Sequence, residues 1–334
     1  MNTAQPEGRR PHGRRLRALL FSAAAIVVAA TAIAVGVVGG TQRASGTDTG
    51  SASAAGGVAG SATGIGSFVA PNGIRTVANV RYAVAGGASQ RLDVCLPLTT
   101  GSSRPAVLVV HGGAWTHGDK STAGWHSVCQ WLASEGFVTF SADYSLVPRS
   151  RFPVAIDELA KAITWMRTAS TVARYGIDPK RIGVFGGSAG GSMAALLATR
   201  GSGATDRGTR VAAVAEISGP VDMTAKGQTL GRPGAGIQRI ELDYLGCSTF
   251  ANCPQAATAS AITHVDSSDP PTFIQGSAGD FVPHEQGEAF AMALAKAGVP
   301  HVSRVVPGNA HSIAELDAST RSDIAAFLHR YLGR

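Results

Sequence analysis

The chain lacks most of the features that would direct it toward nucleotides, nucleic acid or metal. It has neither a Lys-bearing P-loop nor a G-x-G-x-x-G register, the two usual ways in which a glycine-rich turn cradles phosphate. None of its four cysteines forms a Cys-x-x-Cys pair, the close spacing structural zinc generally uses. The sequence around His117 and His126 supplies no set of carboxylate or imidazole partners for a metal, so neither a metal nor an organic cofactor is expected. Basic clustering is also missing from most of the chain. Arg9, Arg10, Arg14, Arg15 and Arg17 against Glu7 place +4 of the net +7 within residues 1–17, whereas a nucleic-acid surface needs its Lys and Arg gathered on the folded part. No internal repeat is evident.

What is present begins with a long apolar run. Residues 18–40, ALLFSAAAIVVAATAIAVGVVGG, carry no charge; as a helix rising about 1.5 Å per residue they would cross the roughly 30 Å hydrocarbon layer of a membrane. Arginines before the run stay on the cytoplasmic side and send the remainder outward. Either a retained anchor or a cleaved signal peptide follows; the length favours the anchor, and no small-x-small cleavage site stands out near Gly40. The expected location is therefore outside the cytoplasm, membrane-anchored or secreted after cleavage. Residues 41–66 are mostly Gly, Ser, Ala and Thr, too poor in apolar surface to offset ordering entropy, and read as a flexible linker. The folded domain is expected over 67–334.

Export would place the cysteines in an oxidising compartment, where an even number reads as disulfides. Cys247 and Cys253 enclose the short loop STFAN and make one pair; Cys95, in a strand-like stretch, and Cys129, in a helix-like one, make the other. Four cysteines allow three connectivities, which spacing alone leaves open.

From residue 75 the pattern alternates. IRTVANVRYAV and QRLDVCLP alternate as two early antiparallel strands, while AVLVV (106–110), FVTFSA (137–142), RIGVFG (181–186), AAVAEIS (212–218), TFIQGS (272–277) and HVSRVV (301–306) have the apolar content of buried strands. Helical spacing lies between them over 121–135, 153–169, 188–199, 283–297 and 313–332, with Pro153 and Pro283 where a first helical turn accepts proline. Such alternation predicts an α/β fold, a mostly parallel sheet with helices on both faces.

FGGSAGG, residues 185–191, falls between a strand and a helix. Gly186-Gly187-Ser188-Ala189-Gly190 is therefore a G-x-S-x-G nucleophile elbow, whose sharp turn lifts a serine oxygen above the sheet edge. The following helix points its free N–H groups at charge developing near Ser188. AVLVV runs into His111-Gly112-Gly113-Ala114-Trp115, a small-residue turn able to offer backbone donors to an oxyanion, with the N–H of Ala189 beside it. TFIQGSAGDFVP places Asp280 just past a strand, at the carboxyl edge of the sheet; Asp222, Glu285, Asp266 and Asp269 are weaker rivals. His311, in the loop VVPGNAHSI after the last strand, is the leading base among nine histidines, with His264 its main competitor.

The order Ser188, Asp280, His311 is that of α/β-hydrolases. HGGAW, DYSLVPRSRFPVAIDELAKAITWMR, GIDPKRIGVFGGSAGG, ITHVDSSDPPTFIQGSAGDFVP and GNAHS resemble the esterase and lipase branch of that superfamily, similar to its hormone-sensitive-lipase-like and bacterial carboxylesterase groups. The resemblance covers about residues 75–333 and implies an eight-stranded α/β-hydrolase sheet. It also implies a serine carboxylic ester hydrolase with Ser188 as nucleophile, His311 as base and Asp280 as orienting acid. Its oxyanion donors would be Gly113 and Ala114, with Gly112 shaping the turn. Two departures stand out. Ala114 occupies the place of a third glycine, so that HGGAW looks more like carbohydrate-esterase and formamidase relatives, and Gly187 stands where many members have Asp.

Residues 223–268 are too long for a simple connection and read as a lid-like insertion. Trp115 and Trp125 are candidates to line an acyl or alcohol pocket. Three readings follow: an exported esterase acting on a small-molecule ester, an amidase or peptidase on the same fold, and a noncatalytic binding protein.

Overall fold

The computed structural model describes residues 64–85, 88–99 and 101–333. The basic tail (1–17), the apolar run (18–40) and all but the end of the linker (41–66) lie outside the described residues. Among the described residues no helix is long and apolar enough to cross a membrane.

Eight strands form one sheet, β1 (Arg75–Ala85), β2 (Ala88–Leu96), β3 (Arg104–Val110), β4 (Val138–Ala142), β5 (Ile177–Gly187), β6 (Ala213–Ile217), β7 (Thr272–Ser277) and β8 (His301–Val306), in the order β1-β2-β4-β3-β5-β6-β7-β8. β1 pairs antiparallel with β2, and β2 antiparallel with β4; every later pairing is parallel. Parallel neighbours need crossover helices, supplied by α1 (Ala123–Ser134), α2 (Val154–Met166), α3 (Ala169–Tyr175), α4 (Ala189–Thr199), α5 (Ala235–Leu245), α6 (Pro254–Ala259) and α7 (Glu285–Ala297), while α8 (Ala318–Leu332) follows the last strand.

Side chains that alternate along a strand reach opposite faces of the sheet, and β3 shows both faces covered. Ala106, Leu108 and Val110 enter a core shared with α2, α4 and α7, whereas Val107 and Val109 enter a second core shared with α1 and α8. Strands buried on both sides explain why AVLVV and TFIQGS read as continuous runs. HVSRVV was expected to be buried in the same way, yet β8 is the outermost strand and exposes Val302 and Val305.

Several boundaries differ from the sequence pattern. The expected helix 153–169 is α2 followed by α3, which starts again at Thr168, whose side chain caps Thr171 N. The expected helix 313–332 is a short 3-10 turn, Ser312–Glu315, followed by α8, whose N-cap Asp317 accepts from Thr320 N at 2.8 Å. Gly64, three residues ahead of the expected start at Ser67, already packs on the domain. Gly64–Ser67 form a 3-10 turn with Ile65 buried, and Arg321 Nη1 holds the turn through Gly64 O (3.3 Å) and Ser67 Oγ (2.9 Å).

Cys95 of β2 is bonded to Cys129 of α1, and Cys247 to Cys253, which closes the loop between α5 and α6. Residues 223–268 contain α5 and α6 with short 3-10 turns around them. Of these elements, α5 supplies Ile237 and Ile240 to the lining of the cavity described next.

Candidate active site

Ser188 joins β5 to α4 with φ 58° and ψ −128°. A positive φ on a residue bearing a Cβ is strained, and persists only where the surroundings over-determine it. Here the glycines supply that constraint. A Cβ on Gly186 would lie 2.2 Å from Gly190 O, and one on Gly190 would lie 2.1 Å from Val110 O and 2.6 Å from His111 O, so the elbow presses against β3 with no side chain between. Ser188 N donates to Ile217 O at 2.8 Å, tying the turn to β6 as well. Gly187 has a different reason. A Cβ there would meet Ser312 Oγ at 2.3 Å and the Trp125 ring at 3.3 Å, so the residue after His311 occupies the space that a side chain at 187 would need.

The turn after β3 is held at both ends. His111 is buried, stacks on Tyr144 with ring centroids 4.2 Å apart, and its carbonyl accepts from Tyr144 Oη at 2.8 Å. Burial pushes the His111 imidazole below its ordinary pKa, which keeps it neutral. At the far end Lys120 is buried between Asp93 (3.4 Å) and Asp143 (3.5 Å), and its backbone N–H donates to Asp143 Oδ1 at 2.9 Å. Between these anchors Gly113, Ala114 and Trp115 all have positive φ, at 121°, 53° and 56°. Among the described residues, the N–H groups of Gly113, Ala114 and Ala189 donate to no other group of the protein. All three residues line one cavity with Ser188.

Asp280 follows β7 and His311 follows β8. Their loops are laced together by Ala278 N to Val306 O (2.9 Å), Gly279 N to Gly308 O (2.8 Å) and Ser277 Oγ to Ala310 O. His311 Nδ1 lies 2.8 and 2.9 Å from the two oxygens of Asp280, whose side chain is fully buried, while that of His311 is 21% exposed. A carboxylate that takes the Nδ1 proton's hydrogen bond leaves Nε2 free to accept another proton. The outer face of the ring is covered by Phe281, at 4.0 Å between centroids.

The turn bearing His311 is fixed by groups that no motif marks. Glu315, one helical turn on, accepts from Ser218 Oγ and from Gln275 Nε2 (3.0 Å), and Ser218 Oγ accepts from Ser312 N at 3.2 Å. Burial raises the Glu315 carboxyl above its ordinary pKa. Nearby on β6, burial pushes Glu216 up to about 8; its Oε2 accepts from Gly219 N at 3.0 Å. Tyr144, Lys120, Ser218 and Glu315 were missed because each acts through a contact between elements far apart in sequence.

The cavity holding Ser188 has a volume of about 430 Å³, and His311, Gly112, Gly113, Ala114, Trp115, Trp125 and Ala189 line it. Trp115 is also buried against Tyr244 of α5, stacked at 4.4 Å, which joins the turn after β3 to the insertion. Trp125 of α1 lies under both Gly112 and Gly187.

The competing residues are engaged elsewhere. His264 Nε2 meets Thr258 O at 3.0 Å, Asp266 holds the Ser268 turn, and Asp269 pairs with Arg210. Asp222 accepts from Thr224, and Glu285 sits beside His284.

Sheet order, elbow and loop positions together define an α/β-hydrolase of the esterase and lipase branch. The family model BD-FAE matches residues 92–294, and the chain belongs to that family. It is 32% identical over 255 residues to esterase LipQ of Mycobacterium tuberculosis (strain ATCC 25618 / H37Rv), covering 72% of this chain and 58% of that protein. To the probable carboxylic ester hydrolase LipM of the same organism it is 27% identical over 258 residues, covering 74% of this chain and 58% of that protein. The chain thus spans 58% of the length of either relative. Among solved structures, a truncated form of a carbohydrate esterase from gut microbiota superposes with a TM-score of 0.70 at 24% identity, over 79% of this chain and 99% of that one. An esterase from Pyrobaculum calidifontis gives 0.63 at 26% identity, over 77% and 84%.

Proposed function

We propose that this chain is a serine carboxylic ester hydrolase. The observation that carries the reading is the Asp280–His311 pair, whose imidazole lines the same cavity as Ser188 and the undonated N–H groups of Gly113, Ala114 and Ala189. In the proposed reaction His311 Nε2 takes the Ser188 proton as Oγ attacks the ester carbonyl. Asp280 holds the ring by Nδ1 and stabilises the imidazolium that forms. Negative charge on the carbonyl oxygen is met by the three backbone donors at the start of α4 and in the turn after β3. His311 then gives its proton to the departing alcohol, and water, activated by the same imidazole, releases the acid from the acyl-enzyme. The mostly apolar walls of the cavity, with Trp125, Ile237, Ile240 and Ile313 among them, favour a small or medium apolar acyl group.

The test is hydrolysis of p-nitrophenyl acetate by the wild type and by Ser188→Ala. The variant is expected to lose on the order of 10⁴-fold or more in turnover. Equal rates for the two would remove Ser188 from the reaction, and a wild type that cleaves a p-nitroanilide but no ester would make the chain an amidase.

We also propose that the domain works outside the cytoplasm. Its support is the uncharged 18–40 run behind five arginines and the engagement of all four cysteines in two disulfides, the state an oxidising compartment maintains. Fractionation decides it: protein in the membrane pellet with an intact amino terminus supports an anchor, a shortened form in the medium supports cleavage, and protein confined to the cytosol ends the proposal.

A further inference from the structure

A second cavity of about 680 Å³ adjoins the one that holds Ser188, and its chemistry is different. Arg232, His284 and Glu285 line it beside the glycine-rich turn that starts at Gly231, whereas Trp115, Trp125 and Ile313 wall the first. Three side chains border both cavities: Ile237 and Ile240 of α5, and Phe281. Phe281 directly follows Asp280, its ring lies on the His311 imidazole, and it remains 56% exposed. An aromatic ring can bury 150–250 Å², yet more than half of this one stands open to solvent.

We propose that Phe281, together with Ile237 and Ile240, is the wall that limits how large a group can sit beside Ser188. On the ester-hydrolase reading above, on which this rests, it makes Phe281 the residue that sets the size class of the substrate. Esters whose acyl group ends within the first cavity react well, and longer chains run into the ring. The space beyond the wall is more polar than the first cavity, so a long apolar chain gains less by reaching past the ring than by staying within the first. A methylene gained or refused in an apolar pocket changes selectivity by roughly 10–200-fold, so one wall suffices to set a chain-length profile.

The experiment compares kcat/KM for p-nitrophenyl acetate, butyrate and octanoate in the wild type, Phe281→Ala and Phe281→Trp. Truncation to Ala should raise the octanoate-to-acetate ratio at least tenfold, and Trp should lower it. Because Phe281 packs on His311, the absolute acetate rate will fall in both variants; the ratio is the readout that loss of packing alone would not move. Ile237→Ala removes the same wall from α5 and should also raise the ratio, and melting temperatures show that each variant is folded. A ratio within twofold of wild type in folded Phe281→Ala overturns the proposal, as does a rise confined to Ile237→Ala. A wild type inert on all three esters sinks the hydrolase reading and this proposal together, whereas an active wild type with an unmoved ratio sinks only the wall.

Discussion

Around Ser188 the chain is fixed by backbone pressed on backbone: Gly186 against Gly190 O, Gly190 against Val110 O and His111 O, Ser188 N on Ile217 O. Around His311 side chains add to the backbone bonds between the two loops, with Glu315 hydrogen-bonded to Ser218 and to Gln275, and Asp280 to the imidazole. The first kind of support needs residues without a Cβ at set positions and has no freedom to rearrange. The second is built from rotatable groups whose partners are drawn from β6, β7 and the final loop. One half of the site is thus rigid by subtraction and the other by connection.

Four measurements sharpen or break this comparison. The largest effect concerns a titratable side chain beneath the elbow, Glu216, whose Oε2 would lie 3.2 Å from a Cβ on Gly191. Its folded pKa of about 8 is far above the ordinary carboxyl value of 4.5. Between pH 4.5 and 8 the unfolded chain releases a proton that the folded one retains, so stability falls as pH rises through that window and levels off above it. The loss is on the order of 4 kcal/mol. Urea unfolding of wild type and Glu216→Gln at pH 5 and pH 8 should show a smaller fall in the variant, the remainder coming from the other raised carboxyls, Glu241 and Glu315; parallel curves would mean that Glu216 is not held neutral.

Next is Gly190→Ala. Its Cβ meets two carbonyl oxygens that cannot swing aside, so β3 and α4 must separate and carry Ser188 with them. A misplacement of about 1 Å costs on the order of 10²-fold in rate, to be read as kcat on p-nitrophenyl acetate. Near-normal activity would show that the elbow is not rigid by close contact.

Gly187→Ala differs in kind because its obstacle is a side chain. A loss of roughly tenfold is expected, recovered in large part by adding Ser312→Gly, which removes the blocking hydroxyl and also relieves the positive φ at Ser312, 58°. A double variant no better than the single one would rule out that contact as the cause. Smallest is Glu315→Gln, which turns an amide N–H₂ toward one of the two donors, Ser218 Oγ or Gln275 Nε2. A fall of about fivefold in kcat with KM unchanged is the expected signature of a group that positions His311 without touching substrate; an unchanged kcat would show that the network is not needed.

The same contrast decides what sequence could reveal. Ser188 and the turn at Gly113 were legible because glycine leaves a mark in the sequence itself, and a strand-to-helix pattern on either side gives it a place. Asp280 and His311 were legible from their position after strands. The alternating and apolar runs located all eight strands, but not that the last lies at the edge, since a run of valines looks the same at an edge and in the middle of a sheet. Helix ends at 166 and 318 escaped because the apolar period continues across the break, while Thr168 and Asp317 restart the chain through local caps. Lys120, Tyr144, Ser218 and Glu315 left no signal, being ordinary residues until folding brings their partners from other elements. The role of Gly187 depends on Ser312, more than a hundred positions away, and a pairing of that range cannot be seen in one sequence.

All eleven residues of α4, from Ala189 to Thr199, are buried. A helix usually keeps one wet side on which substitutions are harmless; this one has none. Random mutagenesis should therefore find its fewest survivors along these positions, and efforts to retune the site will have to work from the rim of the cavity inward, because the shaft that carries the serine offers no place to turn a screw.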